Sequence, residues 1–207
     1  MPRARLTPVS VTEAGAALID EIGLEKFSMG LLAERLEVKT PALYKHVTSQ
    51  ADLVHRIAVR AMAEFADAIR DAIQGRAGSD ALATGAQAMR TYVLEHPGQY
   101  AVGDAAAARA TGPDDPIIPA VKRVVASWAA MLRGYHLDSS QEIHALRMLR
   151  SALHGFSTQE AAGGFQIDAS VDNSFTWMIN FLDRGLHDIT ATATAATTTR
   201  TPPPGGH

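Results

Sequence analysis

Residues 28–47 contain two short stretches with apolar residues at helical spacing, and a tight turn separates them. The apolar face of the first stretch would consist of Leu32, Ala33 and Leu36. Ser28 precedes this stretch and is a residue type that caps a helix N-terminus by accepting a backbone N–H. After the turn at Glu37-Val38-Lys39, Thr40-Pro41 predicts a new helix with Thr40 as its cap and Pro41 in the first position. The pattern therefore predicts a helix-turn-helix, in which Leu43 and Val47 help to pack the two helices together.

The rest of the chain also predicts helices, because its β-branched residues never gather into alternating runs between turn signals. A helix is expected from about Asp80 to Glu95, and a shorter one from there to about Arg109. Two more are expected, one from Asp115-Pro116 through Leu132 and one from a Ser139–Glu142 capping box to about Ala161. We expect an all-α fold with an N-terminal three-helix helix-turn-helix domain and a C-terminal helical domain. The predicted boundaries are 1–50 and 51–189, with a tail at 190–207. The Thr/Ala repeats and prolines of that tail predict disorder.

Composition limits the classes of protein to consider. The chain has no cysteine and a formal charge of −3, and its first 50 residues carry six basic and six acidic side chains. A nucleic-acid contact must therefore come from a local patch, and Lys39, Lys45 and His46 are close enough together to form one. The sequence shows neither a signal peptide nor a stretch long enough to span a membrane, and we expect a cytoplasmic protein.

The exposed side of the second short helix carries groups suited to DNA. Lys45 can pair with phosphate or with guanine acceptors, and the hydroxyls of Thr40 and Tyr44 can donate to phosphate oxygens. Free N–H groups at the helix starts near Ser28 and Thr40 can also face phosphate. The candidate DNA-binding residues are Ser28, Lys39, Thr40, Pro41, Ala42, Tyr44, Lys45, His46 and Gln50. The alternative is a plain helical hairpin whose charges are only solvated.

The run from Leu32 to Val47, followed by Ser49-Gln50-Ala51-Asp52-Leu53, resembles the signature of TetR-type regulators. The resemblance implies that Tyr44 and His46 hold the phosphate backbone. It also implies that Lys39, Lys45 and the Thr40-Pro41-Ala42 segment face bases or phosphates. This chain has Glu37 where the turn usually has Gly, Gln50 where a phosphate-binding Lys is usual, and Val47 where Phe is frequent. The loss of a Lys and the gain of Glu37 are expected to weaken salt-sensitive, nonspecific binding.

The resemblance continues into the C-terminal region. It rests on Arg90-Thr91-Tyr92, on residues 96–100 (His-Pro-Gly-Gln-Tyr), on Leu153-His154-Gly155-Phe156 and on residues 162–165 (Ala-Gly-Gly-Phe). These motifs are similar to a TetR-type subgroup in which the third often reads Trp-His-Gly, with Leu153 replacing the Trp here. The resemblance implies a helical body that binds a small molecule and forms a homodimer through its last two helices. Apolar stripes in both helices are compatible with a four-helix, two-fold interface, or with the core of a single monomer.

A ligand pocket is expected between the middle helices of that body. The candidate ligand-binding residues are Met89, Tyr92, Tyr100, Trp128, Met131, Met148 and His154. They are mainly apolar with a few polar groups, which is typical of pockets and also of an ordinary helical core.

The alternative class is an enzyme, but no phosphate-binding glycine loop follows a strand, and the histidines lack the spacing of metal ligands. We expect no catalytic residues, no cofactor and no metal. The hypothesis is a repressor that binds a palindromic operator in double-stranded DNA and is released by an unknown small-molecule effector. Its recognition helices would be about 34–36 Å apart, and the effector would favour a different spacing. A second possibility is a TetR-like DNA-binding protein that acts constitutively or under the control of a protein.

Overall fold

The computed structural model describes residues 6–198, with side chains up to residue 189. This range contains nine α-helices and no strand, which confirms the predicted all-α class. The helices are α1 (Pro8–Ile22), α2 (Met29–Arg35), α3 (Thr40–Leu43), α4 (Gln50–Ala72), α5 (Gly78–Glu95), α6 (Pro97–Arg109), α7 (Ile117–Leu132), α8 (Ser139–Ala161) and α9 (Val171–Thr198). Single 3₁₀ turns lie at Leu24–Lys26 and Arg133–Tyr135. None of the helices between residues 6 and 198 is long and apolar enough to cross a membrane.

Local signals in the sequence explain where the first helices begin and end. Thr7 and Ser10 form a reciprocal capping box at the start of α1, and Gly23 ends the helix at a φ of 79°. The Ser28 hydroxyl accepts the Leu31 N–H and caps α2, as predicted. The cap of α3 is Lys39 and not Thr40, so Thr40 is the first helical residue and Pro41 the second. Pro41 fits that position equally well, because the first turn of a helix needs no hydrogen bond from its N–H groups.

The start of α8 also differs from the prediction. The capping box there pairs Asp138 with Gln141, one residue before the expected pair of Ser139 and Glu142. The Asp138 carboxylate accepts the N–H groups of Ser140 and Gln141, and these bonds lower its pKa. Helix α9 continues to Thr198, into the segment predicted to be a tail, and residues 199–207 lie outside the described residues.

The chain divides into two compact units. The first unit comprises residues up to Ala68 together with Thr91–Ala126, and the second comprises Ile69–Arg90 together with the residues from Ser127 onwards. The first unit thus contains α1–α3, most of α4, and α6. The second contains α8 and α9.

In the first unit, α6 begins directly against α1. Its first turn lacks a cap from its own segment, and Asp20 of α1 supplies one by accepting the Gln99 N–H at 2.8 Å. The same carboxylate accepts the Gln99 side-chain amide at 2.6 Å and lies 3.2 Å from His96 Nδ1. A methyl group at Gly98 would overlap the Ile19 carbonyl, so only glycine allows this approach. The Tyr92 and Tyr100 rings, both against Phe65, complete this core.

In the second unit, a buried ion pair links α5 to α8. Arg90 is 6% exposed, and its guanidinium donates two hydrogen bonds to Glu160, at 2.7 and 2.5 Å. It also lies 2.7 Å from an Asp172 carboxylate oxygen and 4.8 Å from the centre of the Phe175 ring, both in α9. Arg90 therefore fixes three helices at one point.

Candidate nucleic-acid interface

Three fully or nearly fully buried side chains fix the recognition segment, residues 39–46, against α2. Leu32 and Leu43 have no exposed surface and Val47 is 2% exposed, which confirms their predicted packing role, while Leu36 and Val38 are half-buried. With Leu43 and Val47 facing inwards, Tyr44 and Lys45 between them face outwards. The side chains that remain exposed are Lys39, Pro41, Tyr44 and Lys45, and those that are half-buried are Thr40, Ala42 and His46.

The outward side of the segment carries hydrogen-bond donors and lysine charges that are not paired with acidic side chains of the described residues. Tyr44 is 49% exposed. Neither the Lys39 nor the Lys45 ammonium group forms an ion pair with any described residue. The nearest basic neighbour in sequence, Arg35, is committed elsewhere, because it makes two hydrogen bonds of 2.6 and 2.7 Å to Glu21. This pairing lowers the pKa of Glu21. Lys39 and Lys45 therefore provide positive charge for phosphate on the recognition segment itself.

The turn between α2 and α3 holds Glu37 in a strained backbone conformation. Glu37 adopts a φ of 53°, the left-handed region in which glycine is usual. Its N–H donates to the Glu34 carbonyl at 3.0 Å, and the Val38 N–H donates to the Ala33 carbonyl at 2.9 Å. The turn thus keeps its geometry with a residue that costs about 1 kcal/mol more than glycine there.

The remaining two candidate DNA-binding residues lie at helix starts. The Ser28 hydroxyl already accepts a hydrogen bond as the cap of α2. Gln50 is exposed, and its side-chain amide donates to the Phe27 carbonyl at 3.3 Å, which joins the start of α4 to the start of α2. The Ser28 cap was predicted, whereas the Gln50 contact was not visible in the sequence, because it crosses 23 residues.

Sequence analysis did not identify a hydrogen-bond cluster behind the recognition segment. Asp52 accepts the Thr48 N–H at 2.8 Å and the Thr48 hydroxyl at 3.0 Å. Arg56 donates to the same carboxylate through Nε at 2.8 Å and Nη2 at 3.0 Å, and through Nη1 to the His46 carbonyl at 3.4 Å. The bond from Arg56, followed by that from the Thr48 N–H, lowers the pKa of Asp52 to about 2. The only sequence signal was the spacing of an acid and a base four residues apart on a helix.

The seven candidate ligand-binding residues fall into both units. Tyr92 and Tyr100 are buried in the first unit, and the Tyr92 hydroxyl donates to the Ala61 carbonyl at 3.0 Å. The second unit contains the others: Met89, Trp128 and Met131, which are buried, His154, which is half-buried, and Met148, which is 39% exposed. Within the described residues, no group of three or more His, Asp or Glu side chains could hold a metal ion.

Two buried polar atoms of the second unit lack a hydrogen-bond partner among the described residues. They are the Trp128 indole Nε1, in a side chain that is 4% exposed, and the Ser157 hydroxyl, which is fully buried. A buried donor without a partner typically costs about 1–3 kcal/mol. An ordered water or a ligand at either position would supply the missing bond.

Helices α8 and α9 carry apolar side chains that no residue in the described part of the chain covers. Trp177 is 65% and Phe181 is 58% exposed, and their rings stack with centroids 5.6 Å apart. Gly185 continues the same face of α9, and nothing lies within 4 Å of a methyl group placed there or at Gly155 of α8. A mid-helix glycine with open space around it is costly unless another backbone approaches closely.

Comparison with known proteins agrees with this geometry. Residues 11–57 match the family of bacterial regulatory proteins called the tetR family, and residues 82–182 match a tetracyclin repressor-like C-terminal domain. A curated relative is an uncharacterised HTH-type transcriptional regulator of Mycobacterium tuberculosis, 33% identical over 94% of this chain and 88% of its own length.

Solved structures share the fold at low sequence identity. BioQ with its double-stranded DNA operator has a TM-score of 0.59 at 20% identity, covering 89% of this chain and 99% of its own. A single-substitution variant of TetR from Acinetobacter baumannii, in complex with minocycline, has a TM-score of 0.63 at 21% identity, covering 90% and 99%. The chain belongs to the TetR family of bacterial transcriptional regulators.

Proposed function

We propose that this transcriptional regulator is a repressor that binds a palindromic operator as a homodimer and leaves it when a small molecule binds. Residues 1–50 would bind DNA, and residues 51–189 would bind the ligand and dimerise. The observation that carries the proposal is the recognition segment, in which Leu43 and Val47 are buried while unpaired Lys39 and Lys45 and exposed Tyr44 face outwards. We further propose that it acts in the cytoplasm, where bacterial DNA is found.

Direct contacts are proposed for the outward groups. Tyr44 and His46 would bind phosphate oxygens, and Lys45 and Lys39 would bind phosphates or guanine acceptors. Thr40, Pro41 and Ala42 would lie against the base edges, while Ser28 and Gln50 would face the backbone from the helix starts. The operator-bound BioQ structure has the same fold and supports this use of the segment.

Selection of binding sites from random duplex DNA tests the DNA contacts. Wild type and a Tyr44→Ala, Lys45→Ala double variant would be carried through the same rounds at low salt. We expect a palindromic site from the wild type only, because the variant loses one phosphate contact and one charge. An Arg76→Ala protein is the matched control, since Arg76 is an exposed cation in the second unit. If the wild type enriched no site across concentrations, the proposal would be refuted.

For the homodimer, we propose the exposed face of α8 and α9. Two copies related by a two-fold axis would cover Trp177 and Phe181 and place a partner helix against Gly155 and Gly185. Large aromatic side chains dominate the energetics of such interfaces. A Phe181→Glu protein should sediment as a monomer at micromolar concentration, whereas Val125→Glu, at a 53% exposed apolar position in α7, should stay dimeric. A dimeric Phe181→Glu protein would refute this interface.

For the effector, we propose an uncharged, largely apolar molecule with a hydrogen-bond acceptor. The Trp128 indole N–H and the Ser157 hydroxyl, both buried without a partner among the described residues, would bind its polar atoms. The minocycline complex of the TetR variant from Acinetobacter baumannii supports a ligand site in this fold. The proposed lining from the same unit is Met89, Met131, Met148 and, as a further polar group, His154. Tyr92 and Tyr100 of the first unit remain candidate ligand-binding residues.

Release of the selected duplex in a screen of small molecules tests the effector proposal. A true effector should act on wild type at a lower concentration than on Trp128→Phe, which removes the indole N–H and keeps an aromatic ring. A Trp177→Phe protein controls for the loss of a tryptophan elsewhere. If no compound releases the duplex, the constitutive or protein-controlled alternative is favoured.

We also propose that the C-terminal domain belongs to the subgroup in which the third motif often reads Trp-His-Gly. The support is that Leu153 is fully buried at the position of the Trp, so a large apolar side chain is retained in the core there.

A further inference from the structure

The segment that leads from the recognition helix into α4 has little regular structure of its own. Helix α3 ends at Leu43 and α4 begins at Gln50, so the end of the recognition segment lies in a turn. The His46 and Val47 N–H groups return to the Leu43 carbonyl, at 2.9 and 3.2 Å. Residues 46–48 therefore need contacts from another element of the fold to keep one conformation.

Helix α4 supplies those contacts. Leu53 and Ile57 are fully buried, which fixes the rotation of its first turns. Asp52 and Arg56 are then held one turn apart on the side that faces residues 46–48, and they join in a two-bond pair of 2.8 and 3.0 Å. The pair receives the Thr48 N–H and hydroxyl on the Asp52 side and donates to the His46 carbonyl from the Arg56 side.

We infer that Arg56 is a positioning residue for DNA recognition, which acts through Asp52 and the His46 carbonyl to hold the recognition segment in the orientation that distinguishes operator from other sequences. A planar guanidinium can hold a carboxylate with two bonds and still donate a third to a carbonyl, whereas a lysine ammonium group cannot match that geometry. The inference rests on the proposed DNA binding.

A residue that positions the segment differs from one that binds phosphate. Loss of a phosphate contact weakens binding to all sequences and reduces the dependence of affinity on salt. Loss of orientation weakens binding to the operator more than to other DNA, because base contacts require precise geometry and phosphate contacts tolerate more movement. The two roles therefore give different results in one experiment.

The experiment measures the dissociation constant of the full-length protein for two duplexes of equal length. One is the duplex that wild type selects from a random library, and the other has both half-sites scrambled. The variants are Arg56→Met and Arg56→Lys. The matched control is Arg60→Met, because Arg60 lies one turn further along α4 and pairs with Glu64 at the same four-residue spacing.

We expect both Arg56 variants to lower affinity for the selected duplex about tenfold, the size of a single mismatched base pair. Affinity for the scrambled duplex and the slope of log Kd against log salt should stay as in wild type. Arg60→Met should change none of these. Circular dichroism and the melting temperature check the fold, and if Arg56→Met does not fold, Arg56→Lys carries the test.

Two results would overturn the inference. Equal weakening on both duplexes, with a salt slope lower by about one unit, would make Arg56 a direct phosphate contact. A lower melting temperature with unchanged dissociation constants would make its role structural only. If wild type selected no duplex at all, the proposed function would fail before the variants are compared, so the two failures are distinguishable.

Discussion

The pair of Arg90 and Glu160 allows a quantitative test of the second unit. In the variant Glu160→Gln, the side chain keeps its shape and one oxygen that can accept from the guanidinium. The other position becomes an NH₂ group, which donates and therefore opposes a second guanidinium N–H. Arg90 stays charged in the variant, because the ordinary pKa of a guanidinium already lies far above neutral pH and Asp172 remains beside it. The variant thus leaves a nearly buried cation short of one charge-assisted bond.

The expected cost follows from the burial of the two side chains. Their exposed fractions are 8% for Arg90 and 16% for Glu160, and removal of one partner from a buried pair costs about 3–5 kcal/mol. Asp172 still lies 2.7 Å from the guanidinium but is 82% exposed, so it compensates only in part. We therefore expect a loss of about 2–3 kcal/mol in the free energy of unfolding.

Urea unfolding followed by circular dichroism measures this loss, at one fixed protein concentration because a dimer is stabilised by association. With a slope of about 2–3 kcal/mol per molar urea, the midpoint should fall by about 1 M. Asp80→Asn is the control, since Arg76 also makes two bonds to Asp80, at 2.9 and 2.8 Å, but both side chains are exposed. Its cost should be about 0–1 kcal/mol. Equal losses in the two variants would refute the argument from burial.

Three further predictions concern the first unit. Gly98→Ala should lower the free energy of unfolding by about 1–3 kcal/mol, because the added methyl group overlaps a backbone carbonyl of α1. Gly112→Ala is the control, since it has open space around it and should change the urea midpoint little. Equal midpoints for the two variants would contradict this. Glu37→Gly should raise the melting temperature, since it relieves a left-handed φ worth about 1 kcal/mol, and a lower melting temperature would show that the Glu37 side chain contributes more than the strain costs. The pKa of Asp52 is lowered to about 2, so its stabilisation is complete above the unfolded value near pH 4 and disappears as the pH falls from about 4 to 2. The difference in urea midpoint between wild type and Asp52→Asn should shrink over that interval, and a constant difference would contradict the role of its charge.

The helix-turn-helix could be predicted well because its signals are local. The cap at Ser28 and the turn at Glu37 each depend on residues within a few positions of one another, and the buried residues Leu32, Leu43 and Val47 all lie within the same short stretch of sequence. The two helix caps that were predicted wrongly, Thr40 for α3 and Ser139 for α8, also rested on local signals. In both cases several adjacent residues could serve as the cap, and the choice depends on backbone geometry that spacing does not reveal.

The segment His-Pro-Gly-Gln-Tyr at 96–100 shows what the sequence could not explain. It was recognisable as a motif, but its purpose depends on Asp20, which lies 76 residues from His96 and 79 from Gln99. Gly98 is required by the backbone of α1, and Tyr100 by the ring of Phe65. A motif whose members depend on contacts with distant helices cannot be interpreted until the fold brings those helices to it.

Arg56 illustrates a different limit, since it is close to its partners in sequence. An acid and a base four residues apart on a helix occur on many solvated surfaces, where such a pair contributes about 0.3–0.5 kcal/mol. The pair of Arg60 and Glu64, on the same helix, has the same spacing. The two pairs differ in what else the arginine reaches, since Arg56 donates to the His46 carbonyl of the recognition segment at 3.4 Å, whereas Arg60 lies 3.9 Å from Glu13 of α1. Spacing therefore does not distinguish these two pairs, whereas the contact with the His46 carbonyl does, and comparison of the Arg56 and Arg60 variants tests whether that contact orients the segment.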